Sequence, residues 1–276
     1  MFATSHKISL AALLFGTLSA TLPGASLASH RWGNYHWART SNPFTLKLGN
    51  NLSGAWKSDP RQPNQSYLGT ASSDWSMSSV LDTTIVTSIT DPSSCKPTSG
   101  RVEVCNADYG NNGWLGIAQI WARGSHITQG VTKMNDTYFN TQSYNTPAWR
   151  QMVLCQEIGH TLGLDHQDEN FYNPNLGTCM DYTSNPSGLP SNEHPNAHDY
   201  VQLETIYGNH LDKTGTVNQS VNQAAPALPE AANAARQLGT AQWGKLIKST
   251  NQGRTERYEL DLGDGHKLFT FVIWAD

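Results

Sequence analysis

The chain has 276 residues, enough for one sizeable domain with a substantial core plus extensions. Charged residues make up only 14 % of it, and a net charge of −4 with a pI near 6.2 lacks the basic footprint of a nucleic-acid partner. Abundant Ser, Thr, Asn and Gly and nine tryptophans suit an exported rather than a cytosolic chain.

The N-terminus agrees. Lys7 precedes an apolar run from Ile8 to about Ala20, and Ser26-Leu27-Ala28 offers the small residues that a signal peptidase reads, so residues 1–28 are expected to be a signal peptide. The run is too short for a stable transmembrane helix, and no other segment is apolar enough to span a bilayer. A soluble mature chain is expected to start near Ser29. Asp74 and Trp75 are expected to begin a strand that continues through Thr90. The stretch from Asp108 to Asn112 has two readings, a Ca2+ site and a plain turn. Gly113 to Trp121 and Ile127 to Asn135 read as two short strands around a Gly-Ser turn.

A helix is expected from about Pro147 to Leu162, and it carries the densest chemistry of the chain. Cys155-Gln156-Glu157-Ile158-Gly159-His160-Thr161-Leu162-Gly163-Leu164-Asp165-His166 reads as Q-E-x-x-H-x-x-G-x-x-H. Residues four apart on a helix have Cβ atoms about 5–6 Å apart, so Gln156 and His160 can converge on one ion. Glu157 lies beside them, where a carboxylate can take a proton from an activated water. Gly163 accepts the left-handed conformation that ends the helix and returns His166 toward the same point. Three ligands and one open position result.

This segment resembles the metzincin zinc metalloproteases, most closely the matrixin-like branch, with Gln156 in place of the first histidine. Two further elements carry the resemblance. Thr178-Cys179-Met180-Asp181-Tyr182 places a methionine fourteen positions past His166, as the methionine turn of that superfamily does. His198-Asp199-Tyr200-Val201-Gln202-Leu203-Glu204-Thr205-Ile206-Tyr207-Gly208 resembles the closing helix of matrixin catalytic domains. The resemblance implies an α/β (α+β) zincin domain over residues 29–212, with a twisted mixed sheet and an active-site helix. It implies one catalytic Zn2+ held by Gln156, His160 and His166, with Glu157 as general base and then proton donor, and Tyr182 near the oxyanion. It also implies that the strand Gly116 to Trp121 pairs with an extended protein or peptide substrate. Matrixin structural-zinc ligands are not recognisable. No cysteine lies between Ser29 and Cys95, so the cysteine-switch latency device is absent, and residues 29–65 leave little room for a folded prodomain.

An amide oxygen is neutral, as imidazole is, so zinc in a Gln-His-His site keeps its formal charge and its power to acidify water. It is also the poorer donor for a borderline-soft ion. Two functions therefore stand: an exported zinc endopeptidase, and a catalytically inactive metzincin-like binding protein. His194, His198 and His210 fall in a Pro-Asn-rich loop and near a helix end, where exposed histidines are ordinary, and are left out of the site.

Four cysteines allow three connectivities. Cys95 with Cys105 and Cys155 with Cys179 is the preferred pairing, the second stapling the active-site helix to the turn that carries Met180. Residues 213–240 are rich in Thr, Asn, Gln, Ala and Pro with almost no bulky apolar residues and read as a linker. In residues 241–276, Trp243 to Ile247, Arg257 to Leu262 and Lys267 to Trp274 read as three strands, with Gly263-Asp264-Gly265 as a hairpin turn. This small β module either docks on the catalytic domain or serves as a surface-binding appendage. A monomer is expected.

Overall fold

The computed structural model of the protein describes Met1 and residues 29–87, 89–217, 243–250 and 253–275. The signal peptide at 1–28 and most of the linker at 213–240 lie outside these residues. In chain order the elements are β1 (His36–Trp37), β2 (Phe44–Asn51), α1 (Tyr67–Trp75), β3 (Leu81–Thr87), β4 (Arg101–Ala107), β5 (Trp114–Arg123), β6 (His126–Asn135), α2 (Asp136–Phe139), α3 (Pro147–Thr161), α4 (Ala197–Tyr207), β7 (Lys245–Thr250), β8 (Thr255–Gly263) and β9 (His266–Trp274). The class is mixed α/β, as expected, with one large mixed sheet and few helices.

Phe44, Leu46 and Leu48 alternate with the half-buried Thr45 and Lys47 along β2, so these three apolar side chains lie buried on one face of that strand. It lies between β3 and β4, parallel to both. β4 continues to β6 in parallel, β6 to β5 antiparallel, and β5 to the C-terminal strands, giving the order β3-β2-β4-β6-β5-β9-β8-β7. The short β1 pairs with the start of β6.

The residues Asp74 and Trp75 end a helix instead of beginning a strand, and strand structure in that region is confined to β3. Leu68, Ala71, Ser72 and Trp75 are buried at the i, i+3, i+4, i+7 spacing of a helix face. Ser66 caps the helix by accepting from Gly69 N, and the indole of Trp75 donates to the Cys155 carbonyl at 3.3 Å, fixing α1 against α3.

α3 begins at Thr146, whose hydroxyl accepts from Trp149 N, followed by Pro147 in the first turn where its missing N–H costs nothing. It is buried on nearly every side between the sheet and the lower half of the protein. α4 starts with a reciprocal Asn196–Asp199 capping box. The bridges Cys95–Cys105 and Cys155–Cys179 join the pairs preferred from the sequence. No helix among the described residues is long and apolar enough to cross a membrane.

The C-terminal strands extend the main sheet. β9 runs antiparallel to β5 along its whole length, from Trp114 opposite Trp274 to Arg123 opposite His266. Gly263, Asp264 and Gly265, all at positive φ, turn the chain between β8 and β9. Three short strands are too small to enclose a core of their own, and Phe269, Phe271 and Ile273 are buried within the main hydrophobic cluster instead.

Candidate functional site

The three polar residues of the α3 motif are all sealed from solvent, with Gln156, Glu157 and His160 at 0–1 % exposure. Each is oriented by a neighbour. Gln156 Nε2 donates to the Cys179 carbonyl at 2.8 Å, which turns its Oε1 away from the backbone and leaves that oxygen without a partner. His160 Nδ1 donates to the Leu164 carbonyl at 2.8 Å; a carbonyl only accepts, so Nδ1 carries the proton and Nε2 presents a lone pair. Burial drives the His160 pKa down to about 3, so the ring is neutral and able to ligate.

Gly163 sits at φ +101° and lets the chain leave the helix, as the spacing predicted. The turn brings the His166 ring to 4.6 Å from the His160 ring, at 85° between planes. His166 Nδ1 faces Glu169 Oε1 at 3.5 Å and Asp165 Oδ1 at 3.7 Å, while its Nε2 has no partner. A carboxylate behind one ring nitrogen is the arrangement that fixes a ligating histidine. Asp165, His166 and Glu169 by themselves have the spacing of a metal cluster. Lys248 Nζ, however, lies 3.0 Å from Asp165 and 2.7 Å from Glu169, and Arg257 lies 3.0 Å from Asp165, so cations already answer these carboxylates.

Both oxygens of Glu157 are buried without a partner, and desolvation pushes the carboxyl well above its usual range. The carboxylate lies against β5, since a Cβ on Gly116 would come within 2.8 Å of Glu157 Oε1. Met180 packs beneath the helix, leaving no space for a side chain at Gly159. The Cys155–Cys179 bridge holds its turn to α3. Tyr182 reaches the same cleft, 5.8 Å from the His166 ring, and its hydroxyl donates to the Arg254 carbonyl at 2.9 Å. Burial, with Glu157 nearby, raises its pKa.

Unpaired buried polar atoms cost about 1–3 kcal/mol each, and Gln156 Oε1, His166 Nε2 and both Glu157 oxygens are all in that state. An ion ligated by Gln156 and His166 would satisfy the first two of these atoms. The donor set of two imidazoles and one neutral oxygen fits a divalent metal. At the other site considered from the sequence, Asp108 accepts from the Thr137 hydroxyl, and Asn135 gathers Tyr109 N and the Gly110 carbonyl, so that segment is a braced turn.

What the sequence did not reveal is the cover of the cleft. The β5 edge expected to receive a substrate is paired with β9. Phe271 of β9 stacks on His160, and Arg254 lies over the Phe171 ring at 4.5 Å. The cavities that remain beside His166 and Tyr182 are about 10 Å³ each, room for a single water. Compared with protein-family models the chain matches none, and no curated protein sequence matches it significantly.

Proposed function

We propose that the protein is an exported zinc-dependent endopeptidase and that the arrangement described is its covered form, with the C-terminal hairpin lying where an extended substrate would lie. The observation that carries this reading is that Gln156 Oε1, His166 Nε2 and both Glu157 carboxyl oxygens are buried without partners, on a helix and turn that set the His160 and His166 rings 4.6 Å apart. Gln156, His160 and His166 would hold the ion. When bound, zinc acidifies water and polarises a peptide carbonyl. Glu157, as the carboxylate, takes the proton of the attacking water and delivers it to the leaving amine. Tyr182 offers its hydroxyl to the developing oxyanion after its bond to Arg254 is given up. β5 aligns the substrate through backbone pairing.

A second reading, a metzincin-like exported binding protein without hydrolysis, draws on the weak donor Gln156 and on the filled β5 edge. The two separate on a chain cut within residues 213–240 and carrying Lys248→Ala and Arg257→Ala, with release of the hairpin verified by gel filtration, assayed for zinc content and for hydrolysis of a mixed peptide library. Zinc-dependent cleavage abolished by Glu157→Ala supports the enzyme. Zinc binding with no cleavage in the cut chain supports the binding protein.

A further inference from the structure

Away from the α3 cleft, four side chains from three remote segments meet. They are His36 on β1, His126 at the start of β6, and His210 and Asp212 in the tail after α4. His36 Nε2 lies 3.5 Å from Asp212 Oδ1, His126 Nε2 lies 3.1 Å from the same oxygen, and His210 Nε2 lies 3.2 Å from His36 Nε2. Four ligands around zinc at about 2.0–2.1 Å are separated from one another by roughly 3.3 Å along each edge of the tetrahedron. The three observed separations bracket that value.

The protonation pattern points the same way. His36 Nδ1 donates to the Asn34 carbonyl at 3.0 Å, so its Nε2 carries the lone pair toward the centre of the group. Asp212 Oδ2 accepts from Arg39 N and Nη1, both at 3.1 Å, which leaves Oδ1 for the histidines. Arg39 Nη1 also lies 3.3 Å from His210 Nε2. Two imidazole nitrogens facing each other at 3.2 Å need a proton or a cation between them. An open cavity of about 350 Å³, lined by His36, His210, Tyr35 and Ser125 among others, gives an ion access from solvent.

We propose that His36, His126, His210 and Asp212 form a second, structural metal site for a divalent transition ion of the zinc type. Its effect is to tie the N-terminal strand and the post-α4 tail to the β5–β6 turn, segments otherwise joined by few backbone bonds. Arg39 neutralises the far side of Asp212 and positions it. Catalysis does not pass through this site.

The test uses the mature chain carrying His160→Ala, which disables the α3 site, so that failure here is distinct from failure of the endopeptidase reading. Zinc alone is titrated, and bound metal is measured after gel filtration. One zinc per chain, lost on adding His126→Ala or Asp212→Asn, is expected, together with a zinc-dependent rise in Tm that disappears in the same variants. The His126 side chain is 42 % exposed, so its removal leaves the core intact. The proposal is overturned by a His160→Ala chain that takes up no zinc, or by equal zinc uptake and equal Tm shift with and without His126→Ala.

Discussion

Phe271 lies flat on His160, with ring centroids 4.3 Å apart and planes inclined by 15°. A residue from the last strand of the chain thereby covers a proposed metal ligand from the middle of it. Trp32 closes the other edge of this contact, 5.3 Å from Phe271, while its indole donates to the His160 carbonyl. The same strand that fills the β5 edge thus also caps the ligand, and the consequences can be measured.

Freeing the hairpin should expose the cleft. A specific protease site placed in residues 213–240 cuts the tether while leaving β9 in place, and Lys248→Ala with Arg257→Ala removes the clasp on Asp165 and Glu169. These cations are partly exposed, so together they hold the hairpin by only about 1–2 kcal/mol. After cutting, the double variant is expected to hydrolyse peptides at least several-fold faster than the cut native chain. Equal rates with the hairpin shown to be released would count against its role as a cover.

The clasp has a defined acid limit. Burial alone would raise Asp165, but the neighbouring charges of His166, Lys248 and Arg257 outweigh it and hold the carboxyl at about 2. Glu169, also partly buried, is held at about 2 by His166 and Lys248. Folded values below the unfolded ones, roughly 3.9 and 4.3, mean that this stabilisation is complete above about pH 5. It is lost as the pH falls through about 2. Hydrogen exchange in β8 and β9 is therefore expected to be flat from pH 5 to 8 after correction for intrinsic rates. Destabilisation through these two carboxyls should appear only below about pH 5, and the Lys248→Ala Arg257→Ala variant should show less of it.

Much of the site's scaffold could be read from residue order, because its parts are local. Thr146-Pro147 starts α3 and Gly163 ends it, and the i, i+4 spacing puts Gln156 and His160 on one face. The three C-terminal strands were visible as well. Docking was one of two alternatives the sequence left open, and its place on β5 was not legible, because strand pairing between β5 and β9 joins residues about 150 positions apart through backbone groups that side-chain identity does not encode. One sign was present: Trp114 to Ala122 is buried at every position, and its apolar residues fall on both faces, the pattern of an interior strand. Asp74 was misassigned because Ser and Thr mask the helical spacing of Leu68, Ala71 and Trp75. His210 looked ordinary because its partners His36 and His126 are remote in sequence.

Gln156→His should strengthen zinc retention at the α3 site. Imidazole nitrogen is the better donor for zinc, and even outer-shell changes shift metal affinity by about 10–100-fold, so a gain of tenfold or more is expected. The change removes the Gln156 bond to the Cys179 carbonyl, which offsets part of it. Competition against a chromophoric chelator measures the difference. If Gln156→His binds zinc no more tightly than the native chain, residue 156 does not ligate.

The packing of Met180 against α3 is testable without any metal. A Cβ at residue 159 would collide with Met180 Sδ and approach the Trp75 ring to 2.9 Å. Both neighbours are fully buried, and the Met180 turn is tethered by Cys155–Cys179, so neither can move aside freely. Gly159→Ala gains helix propensity of about 1 kcal/mol at an unconstrained position. Here overpacking at about 1–3 kcal/mol should win, giving a net loss of stability in urea denaturation. Adding Met180→Ala opens space beneath residue 159, so the double variant should be less destabilised than the sum of the two single changes. Strict additivity would mean that Met180 does not press on the helix at this point.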